Sequence, residues 1–197
     1  MPSSADEIAM TFMGLALRYG SRRTTVEDLA RTLKISKKTI YEHFRSKEAM
    51  LERALELTAL EQRRRVESLL TESTALERAL QVTRIALADA REGFARHPGV
   101  ELVDPELQAQ VNDRVYGPLV RDLLEQGMAA GEFEVADVDM TSRFMQAVGL
   151  EAVRQIRDDP GSRVEEATLQ AMRRLITGEG TPPTMSDQRR KKKATRK

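Results

Sequence analysis

Apolar residues recur with a helical period along most of the chain, and this constrains the fold more than any other feature. Ile8, Phe12, Leu15 and Tyr19 share one helical face, and Leu76, Leu80, Thr83, Leu87, Ala90 and Phe94 share another. Two further stripes run through Phe144, Met145, Val148, Gly149, Ala152 and Ile156 and through Val164, Ala167, Thr168, Ala171, Met172 and Leu175. Short alternating runs of β-branched residues flanked by Asn-Gly or Asp-Gly turns do not occur. The expectation is an all-α protein of about nine helices. Aromatic residues make up 4% of the chain and tryptophan is absent, so its core is built from Leu, Ala, Val, Ile and Met. Ala and Leu are also the strongest helix formers.

Caps and breakers place the boundaries. Gly20 stops a first helix that starts near residue 6, and Thr25-Val26-Glu27-Asp28 is a capping-box variant opening a short helix to about Leu33. Ser36 caps Lys37 to Phe44, and Ser46 caps a long helix from Lys47 to about Leu70. Thr74 to Glu77 forms another capping box, whose helix ends at His97-Pro98-Gly99. Asp104-Pro105 starts the next helix, which Gly117-Pro118 is expected to kink or divide before Gly131. Asp137 caps a helix to Arg157, and a last one spans about Val164 to Thr177. The division is a head at 1–50, a body at 51–180 and a tail at 181–197, expected to be disordered because it has nothing apolar to bury.

Charge follows this division. The net charge is +1, yet residues 1–50 carry nine Lys/Arg against six Asp/Glu, and residues 51–187 carry 16 Arg against 25 acids. Residues 188–197 carry seven basic residues and no acid. A basic head on an acidic body suits a nucleic-acid binder whose body does something else. The chain has no cysteine, which excludes disulfides, thiolate metal sites and cysteine nucleophiles. The polar, acidic start is unlike a secretory signal, and no apolar run reaches the roughly 18 residues that span a bilayer, so a cytoplasmic protein without membrane contact is expected. With two histidines and no nucleophile elbow, phosphate loop or metal-spaced cluster, no enzyme and no cofactor are expected. His97 with Asp104 is the best remnant of a catalytic pair and lacks a third partner.

The segment Val26 to Phe44 has the spacing of a helix-turn-helix, with Val26, Leu29, Ala30, Leu33, Ile35 and Ile40 as its apolar positions. The positions expected to be exposed on and before the second helix, Ser36, Lys37, Lys38, Thr39, Tyr41 and His43, all donate hydrogen bonds, and none is acidic. Such a helix fits a major groove. Gly20 to Leu51 resembles the DNA-binding head of the tetracycline-repressor (TetR/AcrR-like) family of transcriptional regulators. The resemblance rests on Gly20, Thr24, Thr25, Val26, Ala30, Ser36, Thr39, Tyr41, His43, Phe44, Lys47, Glu48 and Leu51. It implies that Thr25, Tyr41 and His43 contact phosphate, as does Lys47 with the amides of the helix it opens. It implies that Lys37, Lys38 and Thr39 approach base edges, and that Phe44 plugs the core. The chain departs from the family at Lys34, where glycine is frequent, at Lys38, where a small residue is frequent, and at Phe12 and Ala16, whose order is reversed.

A single reader contacts few base pairs, so a two-fold homodimer on double-stranded operator DNA is expected. Met145, Val148, Gly149, Ala152 and Ile156 on one helix and Thr168, Ala171, Met172 and Leu175 on the next are the candidate dimer contacts, as a four-helix bundle across a dyad. The resemblance further implies a pocket for a small-molecule effector in the body. Phe94, Tyr116, Met128 and Phe144 are its candidate walls and His97, Asn112 and Arg114 its candidate polar handles. The rival is an architectural DNA binder that uses the head and basic tail without sensing a ligand.

Overall fold

The computed structural model describes residues 4–96 and 104–178. Among them are eight helices and no strand: α1 (Ala5–Tyr19), α2 (Val26–Leu33), α3 (Lys37–His43), α4 (Lys47–Leu69), α5 (Ala75–Arg96), α6 (Pro105–Ala129), α7 (Val138–Asp158) and α8 (Val164–Thr177). The expected count of about nine is corrected at Gly117-Pro118, where α6 runs through unbroken. Proline removes a backbone donor and crowds the preceding turn, which loosens carbonyls there. The carbonyl that loses its donor is that of Arg114, and the adjacent Val115 carbonyl accepts a hydrogen bond from the Arg63 guanidinium at 2.9 Å. A partner from another helix thus serves the turn that proline weakens.

The caps act as their residue types dictate. Ser4, Ser36, Ser46 and Asp137 each accept the amide of the third helical residue, and Thr25 and Asp28 complete a reciprocal capping box. Thr74 accepts the Glu77 amide at 3.2 Å, while the Glu77 carboxylate reaches Arg173 and Arg84. A turn after α6 supplies a further contact to α5, since the Glu132 carboxylate accepts the Leu76 amide at 3.0 Å. In that turn the Phe133 ring lies so close to Gly127 that a β-carbon there would sit 2.1 Å from it.

Two cores result. The head core gathers Ile8, Phe12, Leu29, Ile40, Phe44 and Met50 from α1 to α4, all within 8% of full burial. Each fully buried side chain of this kind contributes about 1.5–3 kcal/mol. The body core packs α5, α6, α7 and α8 around Leu80, Leu124, Met145, Met172 and Ile176. Helix α4 belongs to both, since Met50 and Ala54 sit in the head core while Ala59 and Val66 pack against α5 and α6. The tail expected at 181–197 lies outside the described residues.

Candidate nucleic-acid interface and ligand cavity

The head is built so that its second short helix is both fixed and bare. Ser36 caps α3 by accepting the Thr39 amide at 3.1 Å, and its hydroxyl lies 2.9 Å from that of Thr39. Ile40 is fully buried and Phe44 nearly so, which anchors one side of α3. The opposite side carries Lys37, Lys38 and Tyr41, with Tyr41 53% exposed and the Lys38 side chain 87% exposed. His43 and Thr25 are exposed, whereas Thr39 is half-buried. Of these candidates, all but Thr39 therefore lie on the exposed surface of the head.

Two acids belong to that surface and lie outside the expected set. Glu27, near the start of α2, pairs with Lys37 at 2.5 Å. That contact pulls the Glu27 carboxyl below its usual range and raises the Lys37 ammonium above its own, so both stay ionised. Glu42 is exposed on α3 itself, 3.9 Å from Lys38. The Lys38–Glu42 pair has helical i,i+4 spacing and was legible in the chain. The Lys37–Glu27 pair bridges ten residues and exists because α2 and α3 cross.

Lys47 is placed differently from a free phosphate contact. Its ammonium donates to the carbonyls of Ser21 at 3.1 Å and Thr24 at 2.9 Å, tying the start of α4 to the loop before α2. An ammonium has three protons, so one is left for another acceptor. Thr24, buried beside it, donates its hydroxyl to the Gly20 carbonyl at 2.9 Å. The turn between α2 and α3 passes through Lys34 at φ 56°, the one described non-glycine residue in the left-handed region.

In the body, α1, α4, α5, α6, α7 and α8 enclose a cavity of about 670 Å³. This is within the range of drug-sized ligand sites. Its walls are mainly apolar, from Leu87, Val120, Leu124, Met145 and Met172, and three of the expected residues, Phe94, Asn112 and Tyr116, border it. Burial and the negative charge of Asp89 push the Tyr116 hydroxyl up to about 12, so it remains a neutral donor. Asp89 also lines the cavity and pairs with Arg65 at 3.2 Å.

Three other expected pocket residues do not border the cavity. Arg114 lies two residues from both Asn112 and Tyr116, about 200° around the helix, and pairs instead with Glu52 at 3.0 Å and Glu56 at 3.8 Å on α4. Phe144 is 52% exposed, because its neighbour Met145 takes the inward direction. Met128, in the last turn of α6, is 41% exposed. His97 lies outside the described residues.

The expected dimer stripes need a similar correction. Met145, Ala152, Ile156, Thr168 and Met172 are all at most 5% exposed and are used up inside the protomer. Val148, Gly149, Ala171 and Leu175 are half-buried. The outward face of α7 carries Met140, Phe144 and Ala147 instead, with Ala167 exposed on α8. The stripes are wide, and packing of α7 and α8 against α5 and each other takes the stronger half of each.

Among known proteins, the model of the family described as "Bacterial regulatory proteins, tetR family" matches residues 13–54, the segment that holds this head. The head of this chain is thus similar to that of the tetR family. Its fold over nearly the whole length is that of RolR, solved with the ligand resorcinol, at 18% identity over 88% of this chain and 87% of that one, TM-score 0.72. The tetR-family transcriptional regulator PfmR from Thermus thermophilus is 25% identical over 86% of this chain and 96% of its own, TM-score 0.53. The superantigen PfiT is 27% identical over 91% and 100%, TM-score 0.60. No curated protein matches the sequence. Since a fold of this kind is shared by proteins as different as a transcriptional regulator and a superantigen, function has to be argued from the head and the cavity.

Ion pairs and a hydrogen bond connect the cavity helix α6 to α4, which carries the head. Asn112 and Tyr116 flank Arg114 and Val115 on α6, and Arg114 and the Val115 carbonyl grip α4 through Glu52, Glu56 and Arg63. Also on α4, Arg53 pairs with Asp6 on α1 and with Glu56, both at 2.8 Å. Helix α4 thus touches the cavity through Leu55, Thr58 and Gln62 and carries the head on its first turns. No helix is long and apolar enough to cross a membrane, and no group of three metal-ligating side chains occurs among the described residues.

Proposed function

We propose that this transcriptional regulator is a repressor that binds a palindromic operator as a homodimer and is released by a small-molecule effector in the cytoplasm. The observation that carries the reading is the mounting of α3. Its core side is locked by Ile40 while Lys37, Lys38 and Tyr41 face outward together. A short, positively charged helix with a rigid back suits insertion into a major groove, its N-terminal residues nearest the bases. Lys37, Lys38 and Thr39 read base edges in this account. Thr25, Tyr41, His43 and the spare proton of Lys47 hold phosphate, and Ser36 sets the helix start.

Two copies would meet through the outward face of α7 and α8, where Met140, Phe144, Ala147 and Ala167 are exposed. Val148, Gly149, Ala171 and Leu175 would lie at its edge. An effector in the cavity favours one separation of the two heads, and half-sites one helical turn apart then fit poorly. RolR, with a similar fold, was solved with resorcinol, which supports a ligand for the body.

The test is binding of the full chain to the DNA flanking its own gene. The expected result is a preference of about 10³-fold or more for an inverted repeat over bulk DNA. Tyr41→Phe and Lys47→Ala weaken it with the helical fold intact. Equal competition by bulk DNA would instead favour an architectural binder.

A further inference from the structure

The effector reading leaves the ligand's chemistry open, and the cavity wall narrows it. Asn112 and Tyr116 stand one helical turn apart on α6, border the cavity, and have no hydrogen-bond partner within the described protein. Thr83 faces the same space from α5. Its hydroxyl donates to the Ala79 carbonyl at 3.2 Å, which leaves its oxygen free to accept. Together they offer three donor protons and several acceptors on a wall that is otherwise mostly aliphatic.

Charge excludes more than it invites. Three acidic or basic side chains border the cavity: Asp89, Glu151 and Arg154. Each already has a partner, Asp89 with Arg65 at 3.2 Å and Arg154 with Glu151 at 3.2 Å. An anionic ligand would find no unpaired cation and would lie in a space that Asp89 shares. A cationic ligand would have to take Asp89 from Arg65. Burying an ion without a partner is heavily penalised, whereas a neutral polar group needs only hydrogen bonds.

We propose that the cavity takes an uncharged amphiphile, an apolar body with one hydroxyl or amide end seated between Asn112, Tyr116 and Thr83. This rests on the effector reading, and the two can fail separately. The apolar body fills the space between Leu87, Val120, Leu124, Met145 and Met172. The polar end bonds the two α6 side chains that flank Arg114, so occupancy is felt at the grip on α4.

The experiment uses the full-length protein with N-phenyl-1-naphthylamine as a fluorescent occupant of the cavity. Three competitors share one ten-carbon body: 1-decanol, decanoate and decyltrimethylammonium. The expected result is that 1-decanol displaces the dye at a concentration about tenfold or more below either ion. Asn112→Leu with Tyr116→Phe then raises the decanol concentration needed by about tenfold. If that double variant does not fold, Tyr116→Phe alone reads the same loss at about fivefold. Equal or better displacement by either ion, or indifference to the substitutions, overturns the ligand class while leaving a cavity in place. A dye that does not bind, or that binds equally well when Ala86→Trp fills the space, overturns the cavity as an effector site and the class with it.

Discussion

Lys37 is the residue at which folding and DNA binding compete most directly. Its ammonium is paired with Glu27 in the free protein, so a phosphate or guanine must replace that carboxylate before it gains anything. Glu27→Gln is expected to strengthen operator binding and to steepen the slope of log affinity against log salt by up to about 0.9, the value of one added phosphate contact. Anisotropy titrations at several salt concentrations measure both. An unchanged slope with unchanged affinity would mean that Lys37 does not meet the backbone. Lys34 makes a second residue-scale argument. A left-handed conformation costs a non-glycine residue about 1–2 kcal/mol, and glycine gives back part of that relief as lost backbone entropy. Lys34→Gly should therefore stabilise the protein by up to about 1 kcal/mol in urea unfolding without altering the helix content. The strain was legible beforehand through the resemblance, since glycine is frequent at this position in the family the head resembles.

At the scale of elements, α6 and α4 form the joint between sensing and reading. The pairs Arg114–Glu52 and Arg114–Glu56 are half-exposed, so their contribution to stability is modest. Their position matters more, since they hold α4 between its cavity contacts and its head. Arg114→Ala is expected to leave operator affinity within about threefold of wild type while weakening effector-driven release by about fivefold or more. Titrating operator release with an effector in both proteins checks it, and equal release would show that the coupling runs elsewhere. Arg114 was expected in the pocket as a polar handle beside Asn112. Helical geometry separates 114 from its neighbours by more than half a turn, a rule available in the sequence. Which side of α6 faced the cavity was not available there, because every side of this helix carries apolar or ambiguous residues, and only its packing against α4, α5 and α7 chose one.

At the scale of the molecule, the outward side of α7 and α8 is where an assembly would be made. Phe144→Glu places a carboxylate at that face, and a two-fold interface would bury it twice. The dimer is expected to weaken on the order of 30-fold, as for a hot-spot residue, with operator binding lost in proportion. Sedimentation equilibrium reads this, and an unshifted dimer would move the interface to another face. Most helix boundaries and caps were written in the chain, because helical period and N-cap chemistry act over a few residues and need no distant partner. Helix α6 escaped that reading at Pro118, whose neighbouring Val115 carbonyl is satisfied by Arg63 from 52 residues away. The Glu27–Lys37 pair, the tether from Lys47 to Ser21 and Thr24, and the choice of Met145 for the core over Phe144 likewise belong to tertiary structure. Local patterns state which residues can be buried or paired, whereas which of them are depends on how helices cross, and that is set by the packing of the whole.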